Sequence, residues 1–430
     1  MGEIAQRYAR VPHLWALGVG AVISGDFFGW QSALIAGFDG CLIILSVVTS
    51  LKVIVTCAVI VTGIGSYFSS LLGTSDKLVP LWWVIFYGLF CGLNVLGIVL
   101  SFRIQVFTTV LSVILLLVFY VGAATKVSYH DWVVAQDFQF NEGMDGILRG
   151  FSFSLWFYLG IEELPLAVEE TIEPERNMPR GLISSISTLV VASFCTVTFN
   201  SMISPGAKVI SASGSPLLEG YKSVFGDNST TSGFTWLLIV GLIASFHSFI
   251  YCMGRLLLAI ARDGFMPKVL TTVNKNGTPY VSFLVGSGLG LALALLLHFA
   301  IGDTRLGSVL INLALIGALV SYTFQLTAFT LLRLRQPDRP RPYKSPFGIA
   351  GAVVCQVLCI FVLVCIVYSG VKDSDFLASI IAAVVFFALA AVYLVYFVDP
   401  NAGEHLLADH EAGLATKINE SLLTPQGLKQ

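Results

Sequence analysis

Charged residues are scarce in this sequence. Asp, Glu, Lys and Arg make up 12% of the 430 residues, whereas 56% are hydrophobic and the mean hydropathy is +0.84. A soluble globular protein of this length needs far more polar surface, so the composition excludes that class and predicts a polytopic membrane protein. The net charge of -2 gives no sign of a polyanionic partner, and we expect no nucleic acid to bind.

Several catalytic and covalent signatures are also missing. The sequence contains no HExxH, no GxSxG and no Cys/His spacing typical of a metal site, so we expect neither an enzyme nor a bound cofactor. The eight cysteines all lie in apolar stretches, which favours small packing residues over disulfides or metal ligands. A cleavable signal peptide is not evident either, because the apolar run behind Arg7 and Arg10 continues as a full span.

Apolar stretches of about twenty residues, the length that crosses a bilayer, recur along the chain. We predict a cytoplasmic segment at 1–12, a transmembrane domain at 13–398 and a cytoplasmic tail at 399–430, in an all-α polytopic membrane protein. The transmembrane domain is predicted to contain eleven spans, at 13–38, 53–72, 80–100, 104–125, 150–169, 182–204, 233–261, 279–300, 306–332, 347–370 and 374–398.

Lys and Arg cluster in alternate loops, namely those near residues 176–180, 262–268 and 333–344, and this bias predicts that these loops are cytoplasmic. Counting spans back from them places the N-terminus outside, which conflicts with Arg7 and Arg10. A half-span at 41–49, an inverted first helix or an absent helix would each explain the conflict. Lys52, between two apolar runs, is predicted to mark the discontinuity.

One predicted span is interrupted within the stretch FSFSLWFYLGIEELPLAVEE at 151–170. Gly160 is followed by Glu162 and Glu163, and then by Pro165. A helix broken by Gly and Pro in hydrocarbon leaves backbone groups unpaired, which is tolerated where the break is buried in protein or lines a wet cavity. Because carboxylates inside a membrane are usually functional, we interpret this break as a site. Alternatively, the helix ends at Gly160 and both glutamates lie among the headgroups.

The first predicted span contains a second interruption, at Gly25, Asp26 and Gly29. Two broken helices, each with an acidic residue at the break, are typical of the midplane substrate sites of secondary transporters. A purely structural interpretation also remains, in which Asp26 pairs with a cation such as Arg103 or Arg255 to hold helices together.

Four stretches of the sequence together resemble a known family. They are GVGAVISGDFFGW at 18–30, WFYLGIEELPLAVEETIEPERNMPRG at 156–181, RLLLAIARDGFMP at 255–267 and RPYKSPFG at 341–348. They resemble the permeases of the amino acid/polyamine/organocation (APC) superfamily, and ISGDFFGW and FYLGIEE are most similar to the ethanolamine permease branch. The resemblance implies an inverted five-helix-repeat transporter fold, with two further helices, in which the first and sixth family helices are unwound around the substrate.

The chain departs from the family pattern near its N-terminus. Where the family has a complete second helix, this sequence passes from GFDGCLIILSVVTS at 37–50 directly to LKVIVTCAVIVTGIGSYF at 51–68. The resemblance therefore implies about eleven transmembrane helices instead of twelve, and the absent helix would account for the conflict in the count of spans.

The resemblance also implies which residues bind substrate. The segment Ile23, Ser24, Gly25, Asp26 and Phe27 matches the unwound part of the first family helix, and Phe157, Leu159, Gly160, Ile161 and Glu162 match that of the sixth. At an effective dielectric near 20, Asp26 would repel a substrate carboxylate by a few kcal/mol. We therefore expect an ethanolamine-like cation, with an amino acid as the alternative.

Two residues of the predicted seventh span are candidates for ion coupling. His247 would relay protons or line a sodium site together with Ser245, although a single histidine on an apolar face is more often a packing residue. The coupling ion, H⁺ or Na⁺, is left open.

The expected function is that of a secondary active transporter (permease) for a small amine or amino acid, working by alternating access around a midplane site. We expect a multi-pass protein of the plasma membrane, in contact with the lipid bilayer and with a cytoplasmic C-terminus. The alternatives are an amino acid permease, a transport-deficient truncated form and a receptor-like derivative.

Overall fold

The computed structural model of the chain describes residues 7–22, 45–135, 143–211, 213, 215–227, 229–262, 266–335, 337, 344–370 and 374–397. Every regular element in these ranges is helical, apart from one isolated bridge between Ala9 and Thr171. The predicted all-α fold is thus confirmed.

The described ranges contain thirteen α-helices. In chain order the α-helices are α1 (Val11–Val22), α2 (Leu45–Leu72), α3 (Val79–Leu96), α4 (Ile98–Ala123), α5 (Gly143–Ser154), α6 (Pro174–Ser201), α7 (Ala207–Ser211), α8 (Pro216–Phe225), α9 (Ser229–Arg262), α10 (Tyr280–Ile301), α11 (Asp303–Arg335), α12 (Gly348–Gly370) and α13 (Ser374–Phe397). Short 3-10 helices lie at Asp76–Leu78, Leu155–Tyr158, Ile161–Ala167 and Lys268–Thr271, and a π-helical turn at His130–Val134.

Within the described part of the chain, eight helices are long and apolar enough to cross a membrane. They cover Lys52–Ser69, Val79–Leu96, Ile98–Ala123, Pro174–Ser201, Trp236–Arg262, Tyr280–Ile301, Arg305–Arg335 and Gly348–Tyr368. Three of the eleven predicted spans are not among these eight helices. The first is described only to Val22, the fifth is broken, and the last has a shorter apolar part at Leu377–Leu389. The chain is a multi-pass membrane protein, and the total of eleven spans stays a prediction.

Three helices form the centre of the bundle. The apolar windows of α2, α9 and α11 are 89%, 83% and 72% buried, whereas those of α6 and α12 are only 22% and 17% buried. Large apolar side chains such as Phe194 on α6 and Phe299 on α10 lie on the outer surface, as expected of residues that face lipid. The central helices are therefore the ones that can surround a polar site.

The discontinuity that the sequence places at Lys52 is not a break within a helix, and the absent family helix stays a prediction. Helix α2 runs without a break from Leu45 to Leu72, and it begins eight residues before the predicted span at 53. Lys52 lies inside this helix with a fully buried side chain. A lysine is tolerated at this depth because acidic side chains from another part of the chain surround its ammonium group.

Helix α1 packs closely against α4 and α6. A Cβ atom added at Gly18 would lie 3.1 Å from Ile161 Cδ1, and one at Gly20 would overlap the Gln105 side chain. The Gln105 and Thr109 side chains both donate hydrogen bonds to the Ala16 carbonyl, at 3.2 and 2.9 Å. These close contacts place the last turn of α1 beside the segment that begins at Ile161.

Candidate functional site

The candidate site is centred on a break in the helical segment between residues 143 and 167. Helix α5 ends at Ser154, a 3-10 turn follows to Tyr158, and Leu159 is extended with φ -67° and ψ 121°. Gly160 then adopts the left-handed conformation, with φ 108°, before the second 3-10 helix begins at Ile161. The helix is thus interrupted at the glycine that the sequence predicts, and the alternative of a simple helix end is wrong because helical turns resume directly after it.

Gly160 is required at this break for two separate reasons. Its φ of 108° is one that residues with a side chain rarely adopt, and a Cβ there would lie 2.5 Å from Phe249 Cζ on α9. The backbone N–H of Gly160 donates a hydrogen bond to Glu162 Oε2 at 2.9 Å. The break therefore brings an aromatic ring and a carboxylate against the same short piece of backbone.

Glu162 and Glu163 share one cation, Lys52 of α2. The ammonium Nζ donates to Glu162 Oε1 at 2.5 Å and forms an ion pair with Glu163. The Tyr322 ring of α11 lies on another side, with its centroid 5.8 Å from Nζ. These five groups come from three parts of the chain, and together they form what we call the Lys52 cluster: Lys52, Glu162, Glu163, Tyr322 and the Gly160 N–H.

The Lys52 cluster holds two acidic groups and one basic group in a nearly dry environment. The relative exposures of the side chains are 0% for Lys52, 10% for Glu162 and 4% for Glu163. With all three ionised, the cluster carries a net charge of -1, which is unfavourable away from water. One further positive charge, either a proton or a bound cation, would neutralise it. The arrangement is thus suited to holding a small cation.

The end of α1 lies next to the break, and Ser245 of α9 holds it there. The Ser245 hydroxyl donates to the carbonyl oxygens of Gly20 and Ala21, at 2.7 and 2.6 Å. Three oxygens, the Ser245 hydroxyl and these two carbonyls, therefore converge in the part of α1 next to Val22, and oxygen ligands are the kind that a small hard cation prefers.

His247 belongs to a separate hydrogen-bonded network. The Asn94 amide donates to the Phe90 carbonyl at 2.9 Å, and its Nδ2 lies 3.3 Å from His247 Nδ1. His247 Nε2 lies 3.1 Å from the Ser101 carbonyl, and the Ser101 hydroxyl donates to Asn94 Oδ1 at 2.9 Å. A neutral imidazole with its proton on Nε2 satisfies every one of these contacts. This geometry favours the packing interpretation of His247 over a proton relay.

A second charged cluster ties the segment after the break to α9. Arg255, 5% exposed, pairs with the fully buried Glu170, whose Oε2 accepts a hydrogen bond from the Tyr251 hydroxyl at 3.1 Å. Glu169 accepts from Arg262 Nη1 at 2.8 Å and lies 3.9 Å from Arg255 Nη1. Arg255 is therefore neutralised by Glu169 and Glu170.

The predicted site residues are brought together in part. Gly160 and Glu162 lie in the Lys52 cluster, and Ile161 contacts α1, whereas Leu159 is buried in the main apolar core. Phe157 packs against Ile210. Ile23, Ser24, Gly25, Asp26 and Phe27 lie outside the described residues. Their proximity to Glu162 stays a prediction, although α1 does lead to the side of the break.

Sequence reasoning missed the partners that other helices supply. The sequence pattern predicts a discontinuity at Lys52, whereas the structure makes Lys52 the counter-charge of Glu162, 110 residues away. The signal was present, because a lone lysine within an apolar run is expected to pair with an acid inside the bundle. Tyr322 and Phe249 gave no comparable signal, since aromatic residues are frequent in such helices.

Comparison with known proteins assigns the class. The model of the amino acid permease family matches residues 27–389, so the chain belongs to this family. The sequence is 26% identical over 287 residues to the branched-chain amino acid permease BcaP of Bacillus subtilis (strain 168), covering 62% of this chain and 55% of the relative. It is 27% identical over 406 residues to an uncharacterized transporter of Rhizobium meliloti (strain 1021), covering 81% and 84%.

Two further comparisons are more distant. A D-serine/D-alanine/glycine transporter of Escherichia coli (strain K12) is 22% identical over 258 residues, covering 59% of this chain and 54% of the transporter. The solved structure of a manganese transporter from Eremococcus coleocola has a TM-score of 0.49 and 13% identity, covering 90% and 84%. The chain thus spans about half the length of two of these relatives. It is a member of a transporter family and not an enzyme.

Proposed function

We propose that the chain is a secondary active transporter that binds the ammonium group of a small amine or amino acid at the break beside Gly160. The Lys52 cluster carries the proposal, because its two carboxyl groups lie against a helix break in the centre of the bundle. Alternating access would follow from movement of the two helical pieces that meet at Gly160.

The relatives support amino acids as the substrate class. The names of the Bacillus subtilis and Escherichia coli proteins give branched-chain amino acids, D-serine, D-alanine and glycine. Lys52 adds a reason from the structure, since its ammonium group offers a partner to a substrate carboxylate that enters beside the two glutamates.

Charge counting favours an ethanolamine-like cation. A monovalent cation at Glu162 and Glu163 supplies the same positive charge that Lys52 supplies in the structure, whereas a zwitterion adds no net charge. Asp26, if it lies at the neighbouring break as the sequence predicts, would add a further negative charge. We therefore propose that a small hydroxylated amine binds in preference to glycine or serine.

A competition series tests this preference. We expect ethanolamine uptake into vesicles that contain the full chain, with stronger competition from unlabelled ethanolamine than from glycine, serine or choline. Glu162→Gln should lower ethanolamine uptake about tenfold or more, because it removes an ion pair with the substrate. Asp131→Asn is the matched control, since Asp131 is exposed on the π-helical turn at His130–Val134 and should not affect uptake. Equal competition by glycine or serine would replace the amine with an amino acid.

We further propose Na⁺ as the coupling ion, bound where the Ser245 hydroxyl meets the Gly20 and Ala21 carbonyls. In the presence of Na⁺ the hydroxyl would turn a lone pair toward the ion. We expect an imposed Na⁺ gradient to drive uptake in the wild type and to have several-fold less effect in Ser245→Ala. Ser187→Ala is the control, because this exposed hydroxyl donates to the Ile183 carbonyl of its own helix. A proton gradient that drives uptake equally in Ser245→Ala would assign the coupling to H⁺ elsewhere.

A second candidate is a form that binds ligand without transporting it. Lys52 already occupies both glutamates, and the sequence resemblance implies that the family's second helix is absent before α2. Transcript sequence across residues 39–52 tests for the absent helix. Vesicles with the chain as written, compared with vesicles in which that helix is restored, test for flux: binding with no uptake in the first and uptake in the second would assign the receptor-like or transport-deficient form.

A further inference from the structure

Lys52 presents to the two glutamates the same chemical group that an amine substrate would present. We infer that the Lys52 side chain is a tethered competitor of the substrate ammonium group, which a ligand must displace to reach Glu162 and Glu163. The inference rests on the proposed function for the identity of the substrate, but the competition itself is a property of the Lys52 cluster.

The contacts of Lys52 Nζ are those of a bound alkylammonium ligand. One of its three N–H donors meets Glu162 Oε1 at 2.5 Å, and Nζ also forms an ion pair with Glu163. The Tyr322 ring centroid lies 5.8 Å away, within the range of a cation–π contact. The last carbon and nitrogen of a lysine side chain match the –CH₂–NH₃⁺ end of ethanolamine. A free amine would therefore use the same oxygens and the same ring.

A second ammonium group cannot share these carboxylates with Lys52. The Lys52 side chain is completely buried, and Glu163 is only 4% exposed. Two like charges on the same pair of oxygens would also repel each other strongly at this low dielectric. In the described part of the chain, the titratable groups that act on the cluster are Cys57 of α2 itself, Cys252 of α9 and Tyr322 of α11, and none of these three is a cation. Lys52 and a ligand ammonium thus exclude each other.

When a ligand displaces the Lys52 ammonium group, the Lys52 side chain has to move while the backbone of α2 stays in place. Gly317 of α11 lies directly against Lys52, so that a Cβ there would be 3.2 Å from Lys52 Cα. The backbone of α2 is therefore held at this point. Glu162 is held as well, because its second oxygen accepts the Gly160 N–H at 2.9 Å. The four-carbon stem of Lys52 is the flexible part, and its departure would release α2 from the break while the carboxylate stays in place.

Complementation of a truncated side chain tests the inference. Lys52→Ala removes three carbons and the nitrogen, which together correspond to propylammonium. We expect the purified full-length variant to bind propylammonium at least about tenfold more tightly than the wild type, because a tether keeps the Lys52 ammonium at an effective concentration of roughly millimolar or higher. Propylammonium should also raise its Tm in a saturable manner. Isothermal titration and thermal unfolding in detergent give the two measurements.

Two additional variants keep the test decisive. Lys52→Ala/Glu163→Gln retains the net charge of -1 and should show the same gain if Lys52→Ala alone does not fold. Lys52→Ala/Glu162→Gln/Glu163→Gln removes both anions and should lose it. Equal affinity for propylammonium in the wild type and in Lys52→Ala/Glu163→Gln would overturn the inference.

The outcome is separable from that of the proposed function. A tenfold gain in propylammonium affinity with no uptake of any small amine by the wild type supports the tethered competitor and refutes the transporter proposal. Uptake of ethanolamine by the wild type, with no gain in propylammonium affinity in the variants, supports the transporter proposal and refutes the tethered competitor.

Discussion

Arg255→Met is expected to lower the free energy of unfolding by about 3–5 kcal/mol. Arg255 is 5% exposed, and it faces Glu170, which is fully buried. Removing the guanidinium leaves the Glu170 carboxylate with the Tyr251 hydroxyl as its remaining polar side-chain partner in the described structure. The cost comes from this uncompensated charge more than from the loss of an attractive contact.

The matched control is Arg262→Met, which removes the same kind of charge from the same helix. Arg262 pairs with Glu169, and both side chains are about half exposed, at 49% and 47%. Ion pairs screened by solvent contribute about 1 kcal/mol or less. Thermal unfolding of the two variants in the same detergent measures the difference, and similar losses in both would show that Glu170 is not an isolated buried charge.

The Arg255–Glu170 pair also lies beside the segment that leads into α1. The backbone N–H groups of Tyr8 and Ala9 donate to the Glu170 carbonyl, each at 2.8 Å, and the Ile172 N–H donates to the Ala9 carbonyl at 2.9 Å. The segment before α1 is thus bonded to the segment after the break. Loss of Arg255 should loosen both together, which faster amide hydrogen exchange at residues 8–10 and 170–172 would reveal.

Gly160→Ala is expected to destabilise the protein by about 2–4 kcal/mol and to abolish uptake. A side chain at this position is strained by the φ of 108°, and its Cβ would lie 2.5 Å from Phe249 Cζ. The backbone must shift to relieve both, and the shift moves the N–H that holds Glu162.

Gly288→Ala provides the control for a glycine in the same bundle. Gly288 lies inside α10, and a Cβ there meets no atom within 4 Å. Alanine is the better helix former, so this variant should be neutral or more stable by up to about 1 kcal/mol. Parallel unfolding and uptake measurements on both variants separate the effect of the break from a general effect of alanine. Normal uptake by Gly160→Ala would show that the left-handed turn is not needed for function.

Local features of the sequence determined the membrane class and the position of the break. Runs of about twenty apolar residues identify spans because a helix in lipid must satisfy its backbone internally. Gly160 and Pro165 interrupt such a run within six residues of each other, so the interruption is encoded where it occurs. The family likewise followed from short motifs that can be recognised without a structure.

The tertiary structure alone decided which charges meet. Glu162 and Lys52 are 110 residues apart, and Arg255 meets Glu170 across 85 residues, so no spacing along the chain specifies either pair. The sequence suggested Asp26 as a partner for Arg255, whereas the structure gives Arg255 two other acids. Pairing is decided by which helices enclose a charge, because a buried ion is stabilised only by groups in direct contact with it. That physical requirement turned a lysine expected to mark a discontinuity into the counter-charge of the site.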